Sequence, residues 1–333
     1  MIAKKRFIQS GILLAGVALW MRTASLLFNA YVTQKVGAEG MGLLSLTMSV
    51  YAFAVTFATS GVSLAVTRQL AAYFGSGEGE KAKRFMTAAT LYACVFGSIA
   101  SVFLYFGAGY IATELLGDLR TASSLRLLSV SLVPIALSSV YSGYFSAVRR
   151  VWHNAATQIA EQFFRMSLTV LGLSFLLPKG LEYACLSLVG GSSLSELLSF
   201  LILLVQTKRD MRKNPFPEKQ IGKKVSLRQE FRTVLANALP CALSAHARSG
   251  LLTIEHLLIP KCLKAFGMGR SKALSSYASL HGMAIPVVLF PLAVLTPFTG
   301  LFIPEFAELE EKKNKKTIGK LAQKAMSSAS VFS

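Results

Sequence analysis

Glu161 and Arg165 stand four residues apart near the start of the apolar stretch QIAEQFFRMSLTVLGLSFLLP, residues 158–178. Arg22 and Arg248 lie near the middle of apolar stretches of their own, and the second of these, HARSGLLTIEH, also carries His246, Glu255 and His256. A guanidinium at the centre of a lipid-embedded helix costs about 2.5–3.5 kcal/mol on insertion scales, so it must face another helix, a carboxylate or water. Its planar fork of donors suits phosphate oxygens. The chemistry these residues point to is recognition of an anionic headgroup inside a membrane. No carboxylate lies one helical turn from Arg22 or Arg248, which favours ligand binding over a buried ion pair for both. Glu255 follows Arg248 by seven residues and shares its helix face two turns on. Glu161 and Arg165 have the i,i+4 spacing that allows mutual neutralisation, so they are expected to form a self-satisfied pair at the inner rim that also edges the cavity. Glu196 is read either as a coupling-ion or pairing group or as a structural carboxylate.

These side chains need long helices to carry them. Of 333 residues, 53% are hydrophobic and 15% charged, against about 25% charged in soluble domains, and the mean hydropathy is +0.51. Apolar runs of about 20 residues can cross the hydrocarbon core as helices. Spans are expected at 7–32, 41–65, 85–107, 122–147, 155–177, 183–206, 233–259 and 273–302, with a ninth starting near 317. The fold class is therefore an all-α polytopic integral membrane protein. The formal charge of +19 sits in the gaps between spans, so it sets topology and does not indicate nucleic acid. Lys4, Lys5 and Arg6, the Lys81–Arg84 cluster, Arg149 and Arg150, and nine Lys or Arg against three acids in residues 207–232 fall on one side. That side is expected to be cytoplasmic, with the N-terminus inside. Lys261, Lys264, Arg270 and Lys272 weaken the contrast. The basic loop 207–232 reads as a cytoplasmic connector, with anionic membrane lipid as its alternative partner.

The chain repeats itself. At a shift of 226, Arg22 falls on Arg248, Leu26 on Leu252, Lys35 on Lys261 and SVYA (49–52) on SSYA (275–278), and at 227 one GMG falls on another. This predicts a six-helix lobe over 1–206, a basic linker over 207–232, and the start of a second, parallel lobe over 233–333, cut off within its third span. Parallel lobes around a central cavity are a transporter arrangement. The proline-rich eighth span carries Pro286, Pro291 and Pro297, which remove backbone hydrogen bonds and kink a helix. They are candidate gating positions, or else they hold a permanently bent packing helix.

With Arg22, the VGAEGMGLLSL turn and the span-8 pattern GMAIPVVLFPLAVLTPFTGLFIPEFAEL in view, the chain resembles the stage V sporulation protein B and polysaccharide-exporter branch of the multidrug/oligosaccharidyl-lipid/polysaccharide exporter superfamily. The resemblance implies a MATE-like two-lobe helical bundle, here with the second lobe truncated. It implies alternating access in the cell membrane and flipping of undecaprenyl-diphosphate-linked oligosaccharide or peptidoglycan precursor, for polysaccharide, cell-wall or spore-cortex synthesis. On it, Arg22 and Arg248 match cavity arginines, and Arg68 is a weaker candidate. His246, Glu255 and His256 complete the expected substrate-binding set, and coupling to Na+ or H+ is left open. The protein is expected to work as a monomer.

Other classes fit less well. A cation-coupled multidrug antiporter of the same superfamily is the alternative, but it should line its cavity with acids, and here Arg and His outnumber Glu. An enzyme would need catalytic residues on external loops. Glu39, Glu114, Asp118 and Glu182 are sparse there, and no phosphate-binding glycine loop, nucleophile elbow or metal cluster accompanies them. Cys94, Cys185, Cys241 and Cys262 have neither disulfide nor metal spacing. No cofactor, metal or catalytic residue is expected.

Overall fold

A computed structural model describes residues 2–216 and 226–288. The first helix, α1 (Ile2–Thr59), is 58 residues long and breaks at Gly37 (φ 78, ψ 168). The apolar segment Gly16–Ser76 that overlaps it would extend about 90 Å as one rod, three times the hydrocarbon thickness of about 30 Å. It must therefore fold back. Gly37 makes the first turn, because its left-handed backbone would strain any residue with a Cβ. A second break at Ser60 (φ 41) and Gly61 (φ 69) starts α2 (Val62–Ser76). The sequence pattern predicts one unbroken span here, and the break corrects it.

The remaining passes follow as α3 (Gly79–Tyr110), α4 (Thr121–Ala147), α5 (Trp152–Leu176), α6 (Leu181–Lys213) and α7 (Leu227–Ala265). After α7 come α8 (Arg270–Tyr277), a π-helical segment over Ala278–Ala284, and α9 (Ile285–Val288). Pro286 lies in α9, whereas Pro291 and Pro297 lie outside the described residues. Among the described residues, five helical segments are long and apolar enough to cross a membrane. Although 39 residues long, α7 is not among them, since Asn237, His246, Arg248, Glu255 and His256 interrupt its apolar character.

The packing follows the logic of lipid as solvent. Lipid tails match leucine in polarity, so helices gain little by hiding large apolar side chains; close approach and hydrogen bonds bind them instead. Phe103, Phe106, Phe163 and Phe175 accordingly point outward and are 63–80% exposed. Ser124, Ser129, Ser131, Ser192, Ser195 and Ser199 are buried. At Gly143 of α4 a Cβ would stand 2.7 Å from the Ser63 carbonyl oxygen of α2. Gly97 of α3 and Gly191 of α6 serve the same purpose against Ala136 and Thr169. The broadest contacts join α3 with α4, α5 with α6, and α4 with α6.

Helix α7 lies against α1, α2 and α3. The break at Gly61 lets it in: a Cβ there would meet the Ala238 carbonyl oxygen at 3.0 Å and the Ala242 nitrogen at 3.1 Å. Near the turn at Gly37 α8 reaches α1, where a Cβ at Gly42 would stand 2.6 Å from the Leu274 carbonyl oxygen.

Candidate functional site

Two polar constellations sit within the apolar helices. In the first, the Tyr51 hydroxyl of α1 hydrogen-bonds the Ser131 hydroxyl of α4 at 2.6 Å and donates to Glu196 Oε2 of α6 at 2.7 Å. The single hydroxyl hydrogen of Ser131 can go to Tyr51 or to the Leu128 carbonyl, 2.7 Å away, and Tyr51 is only 6% exposed. Three helices thus converge on one carboxylate. From α5, both Glu161 and Arg165 lie close enough for their charges to act on Glu196. The expected pair between Glu161 and Arg165 is replaced by another contact, as Arg165 donates to the Gln162 carbonyl oxygen. Gln162 is buried, and its amide oxygen would otherwise lack a donor in an apolar setting. Glu161 and Arg165 are half-buried on α5, and Arg165 bonds the neighbouring Gln162 in place of the expected Glu161.

The second constellation runs along α7. His246 stacks on Phe57 with ring centroids 5.5 Å apart, Thr56 donates to Ser249 at 3.1 Å, and Thr253 donates to the Ser49 carbonyl at 3.2 Å. Residues 246, 249 and 253 thus form the face that meets α1. Arg248 and Glu255 lie off that face and are exposed, as is Arg68, while Arg22 is half-buried on the first limb of α1. His256 turns elsewhere, and its Nδ1 is hydrogen-bonded to the Tyr277 hydroxyl. The structure separates the predicted residues into a packed group (His246, His256, Glu196) and an open group (Arg248, Arg68, Glu255).

Further contacts fasten the two ends of the bundle. At one end, the buried Asp210 of α6 pairs with Arg150 and accepts from Tyr144 at 2.8 Å and from Asn214 at 3.1 Å. These residues, with Phe74, Arg149 and Phe216, line a cavity of about 440 Å³. Glu230 in the first turn of α7 accepts from Tyr73 of α2 at 3.0 Å, and Asn237 donates to Gln69 at 3.0 Å. Burial pushes the Glu230 carboxyl above the usual carboxylate range, with the Tyr73 hydroxyl and Lys81 pulling it back down. At the opposite end Arg120 holds Asp118 at 2.7 Å and Glu39 at 3.7 Å, and Ser271 of α8 donates to Glu39 at 2.8 Å.

Sequence reasoning passed over Tyr51, Ser131, Tyr277 and Asp210. Tyr51 and Tyr277 fall on each other in the internal repeat, and each is buried with its hydroxyl on a titratable side chain. That shared position was the available signal. Asp210 was the lone acid in TKRDMRK. Among the described residues no cluster of His, Cys, Asp or Glu could hold a metal ion.

The whole arrangement is that of known structures. The chain superposes on a mutant of the Vibrio cholerae MATE transporter VcmN with a TM-score of 0.72 at 15% identity, covering 96% of this chain and 68% of that one. A MATE in complex with MaD3S gives 0.70 at 14%, covering 99% and 71%. The fold is thus that of a MATE-type helical membrane protein. Within it the chain belongs to the polysaccharide biosynthesis protein family, whose sequence profile matches residues 7–308. It is 25% identical over 329 residues to stage V sporulation protein B of Bacillus subtilis (strain 168), covering 98% of this chain and 62% of that protein. It is 25% identical over 171 residues to the lipid II flippase MurJ of the same organism, covering 49% and 31%. The chain therefore spans less than two thirds of the length of either relative. Their names describe transport and sporulation and no enzymatic reaction.

Proposed function

We propose that this chain carries the first lobe and the opening helices of the second lobe of a flippase. Its cargo is an undecaprenyl-diphosphate-linked oligosaccharide or peptidoglycan precursor, moved across the cytoplasmic membrane by alternating access. One observation carries the reading: within a MATE fold of the polysaccharide biosynthesis family, Arg22 and Arg248 occupy repeat-equivalent positions in apolar helices. Arg248 and Arg68 are exposed and so can meet a ligand. The planar donor fork of a guanidinium suits the oxygens of a diphosphate. The six-helix lobe ends near residue 206, the basic linker 207–232 lies in the cytoplasm, and the N-terminus faces inward, as the distribution of Lys and Arg favours.

The relative named as a lipid II flippase supports a lipid-linked cargo. A cation-coupled multidrug antiporter is the second reading, favoured by one observation: Glu196, a carboxylate bound by Tyr51 within the first lobe, is a group that can hold a cation. Thermal unfolding in detergent separates the two. Undecaprenyl diphosphate at about 100 times its dissociation constant adds roughly 2.7 kcal/mol if it binds the folded state alone. The expected result is stabilisation by the diphosphate that vanishes in Arg22→Ala and Arg248→Ala. Stabilisation by a hydrophobic cationic dye alone, unchanged in those variants, would establish the antiporter.

A further inference from the structure

His256, Tyr277 and His281 form a cluster that the anion-binding reading does not use. His256 Nδ1 shares a hydrogen bond with the Tyr277 hydroxyl, and the His256 and His281 rings lie 4.6 Å apart. Tyr277 and His281 stack at 4.9 Å and 29°. Tyr277 is 1% exposed, so water does not compete for its hydroxyl. Glu255 acts on His256 from its own helix, and Tyr277 and His281 act from the segment packed against it. The first helix meets this stretch of α7 through neutral groups, the Ser49 carbonyl on Thr253 and Thr56 on Ser249.

Two imidazoles this close repel strongly when both are charged, so their protons bind as a coupled pair. A tyrosine hydroxyl can donate to a neutral Nδ1 or accept from a protonated one by rotating. The cluster therefore has two stable states that differ by one proton. It also sits where a proton can be felt elsewhere. His281 lies in the π-helical segment, a feature frequent at functional sites. Ala278 of that segment packs with Val32, Val36 and Met41 around the Gly37 turn of α1, and Leu274 abuts Gly42.

We propose that His256, Tyr277 and His281 form a single-proton site whose occupancy shifts the contact between the α8 segment and α1. The coupling of that proton to transport rests on the flippase reading, whereas the site itself does not. The chain holds four histidines, so ¹⁵N-histidine spectra of the full protein can be assigned with single His→Gln variants. Two macroscopic steps are expected for the pair, the second proton binding about a hundredfold or more weakly than the first. In His256→Gln, His281 should titrate in one step, and Tyr277→Phe should change the tautomer signature of His256 without unfolding the chain. Independent titration of both rings in the wild type, or a His281 curve unaltered by His256→Gln, overturns the site. Coupling is read with a pH dye in weak buffer on adding undecaprenyl diphosphate. Proton exchange in the wild type that is lost in the His256→Gln/His281→Gln variant supports it. Equal exchange, or none in either protein while the thermal shift shows binding, overturns it. Absence of any thermal shift defeats the flippase reading, and the histidine titration then decides the proton site alone.

Discussion

Removing the Tyr51 hydroxyl tests whether Glu196 is held as a working carboxylate or merely packed. In Tyr51→Phe the ring stays in its buried position, and only the oxygen with bonds of 2.6 and 2.7 Å is lost. Ser131 keeps its bond to the Leu128 carbonyl at 2.7 Å, so the deficit falls on Glu196. Interhelical hydrogen bonds between neutral groups in membranes average about 0.6 kcal/mol by double-mutant cycles, with a maximum near 1.7. Bonds to charged groups contribute about 1.5–3 kcal/mol. A cycle with Tyr51→Phe and Glu196→Ala therefore distinguishes two states of the site. A coupling energy above about 1 kcal/mol is expected if Glu196 is ionised, and about 0.6 if it is neutral. The assay is unfolding in mixed detergent micelles of graded denaturing detergent content, followed by tryptophan fluorescence from Trp20 and Trp152. If the cost of Tyr51→Phe is the same with Glu or Ala at position 196, the hydrogen bond contributes nothing and the reasoning fails. Arg165→Gln serves as a companion, since it should weaken the network without touching the Tyr51 bond.

Gly143→Val places a side chain 2.7 Å from a backbone carbonyl of α2 and 3.0 Å from Val66, so it should destabilise by about 1–3 kcal/mol and more than Gly143→Ala. Gly109→Ala, with nothing within 4 Å, should be neutral or slightly stabilising in the same unfolding assay. Glu230 has its pKa raised by burial in the folded chain, so its contribution is fully present below about pH 4.5 and is lost as pH rises through the raised value. Melting temperatures of wild type and Glu230→Gln should therefore lie closest together at low pH. The wild type should fall behind at pH 8, and a constant gap across the range would refute the assignment.

Much of the architecture was legible because hydropathy and helical length are local properties. The apolar runs and the glycine turn VGAEGMG announced the fold-back at Gly37, where a side chain would strain the backbone. The break at Ser60 and Gly61 was not legible, since TSGVS reads as uninterrupted helix until α7 is known to press against it. The arginines embedded in apolar stretches were visible as anomalies, but the surroundings of Arg248 were not. Its exposure depends on which face of α7 turns to α1, and that face was chosen by His246, Ser249 and Thr253.

The sequence by itself determined that this is a polytopic helical membrane protein with arginines set within apolar stretches. Composition and periodicity are written along the chain, and the bilayer admits few folds that satisfy them. Only the tertiary structure decided who pairs with whom. Arg165 donates to the buried amide oxygen of Gln162, which would otherwise lack a donor, and not to the carboxylate one turn away. Tyr51 found Glu196 across 145 residues and Tyr277 found His256 across 21. Such partners are set by how helix faces meet in three dimensions, and spacing within one helix carries no record of that.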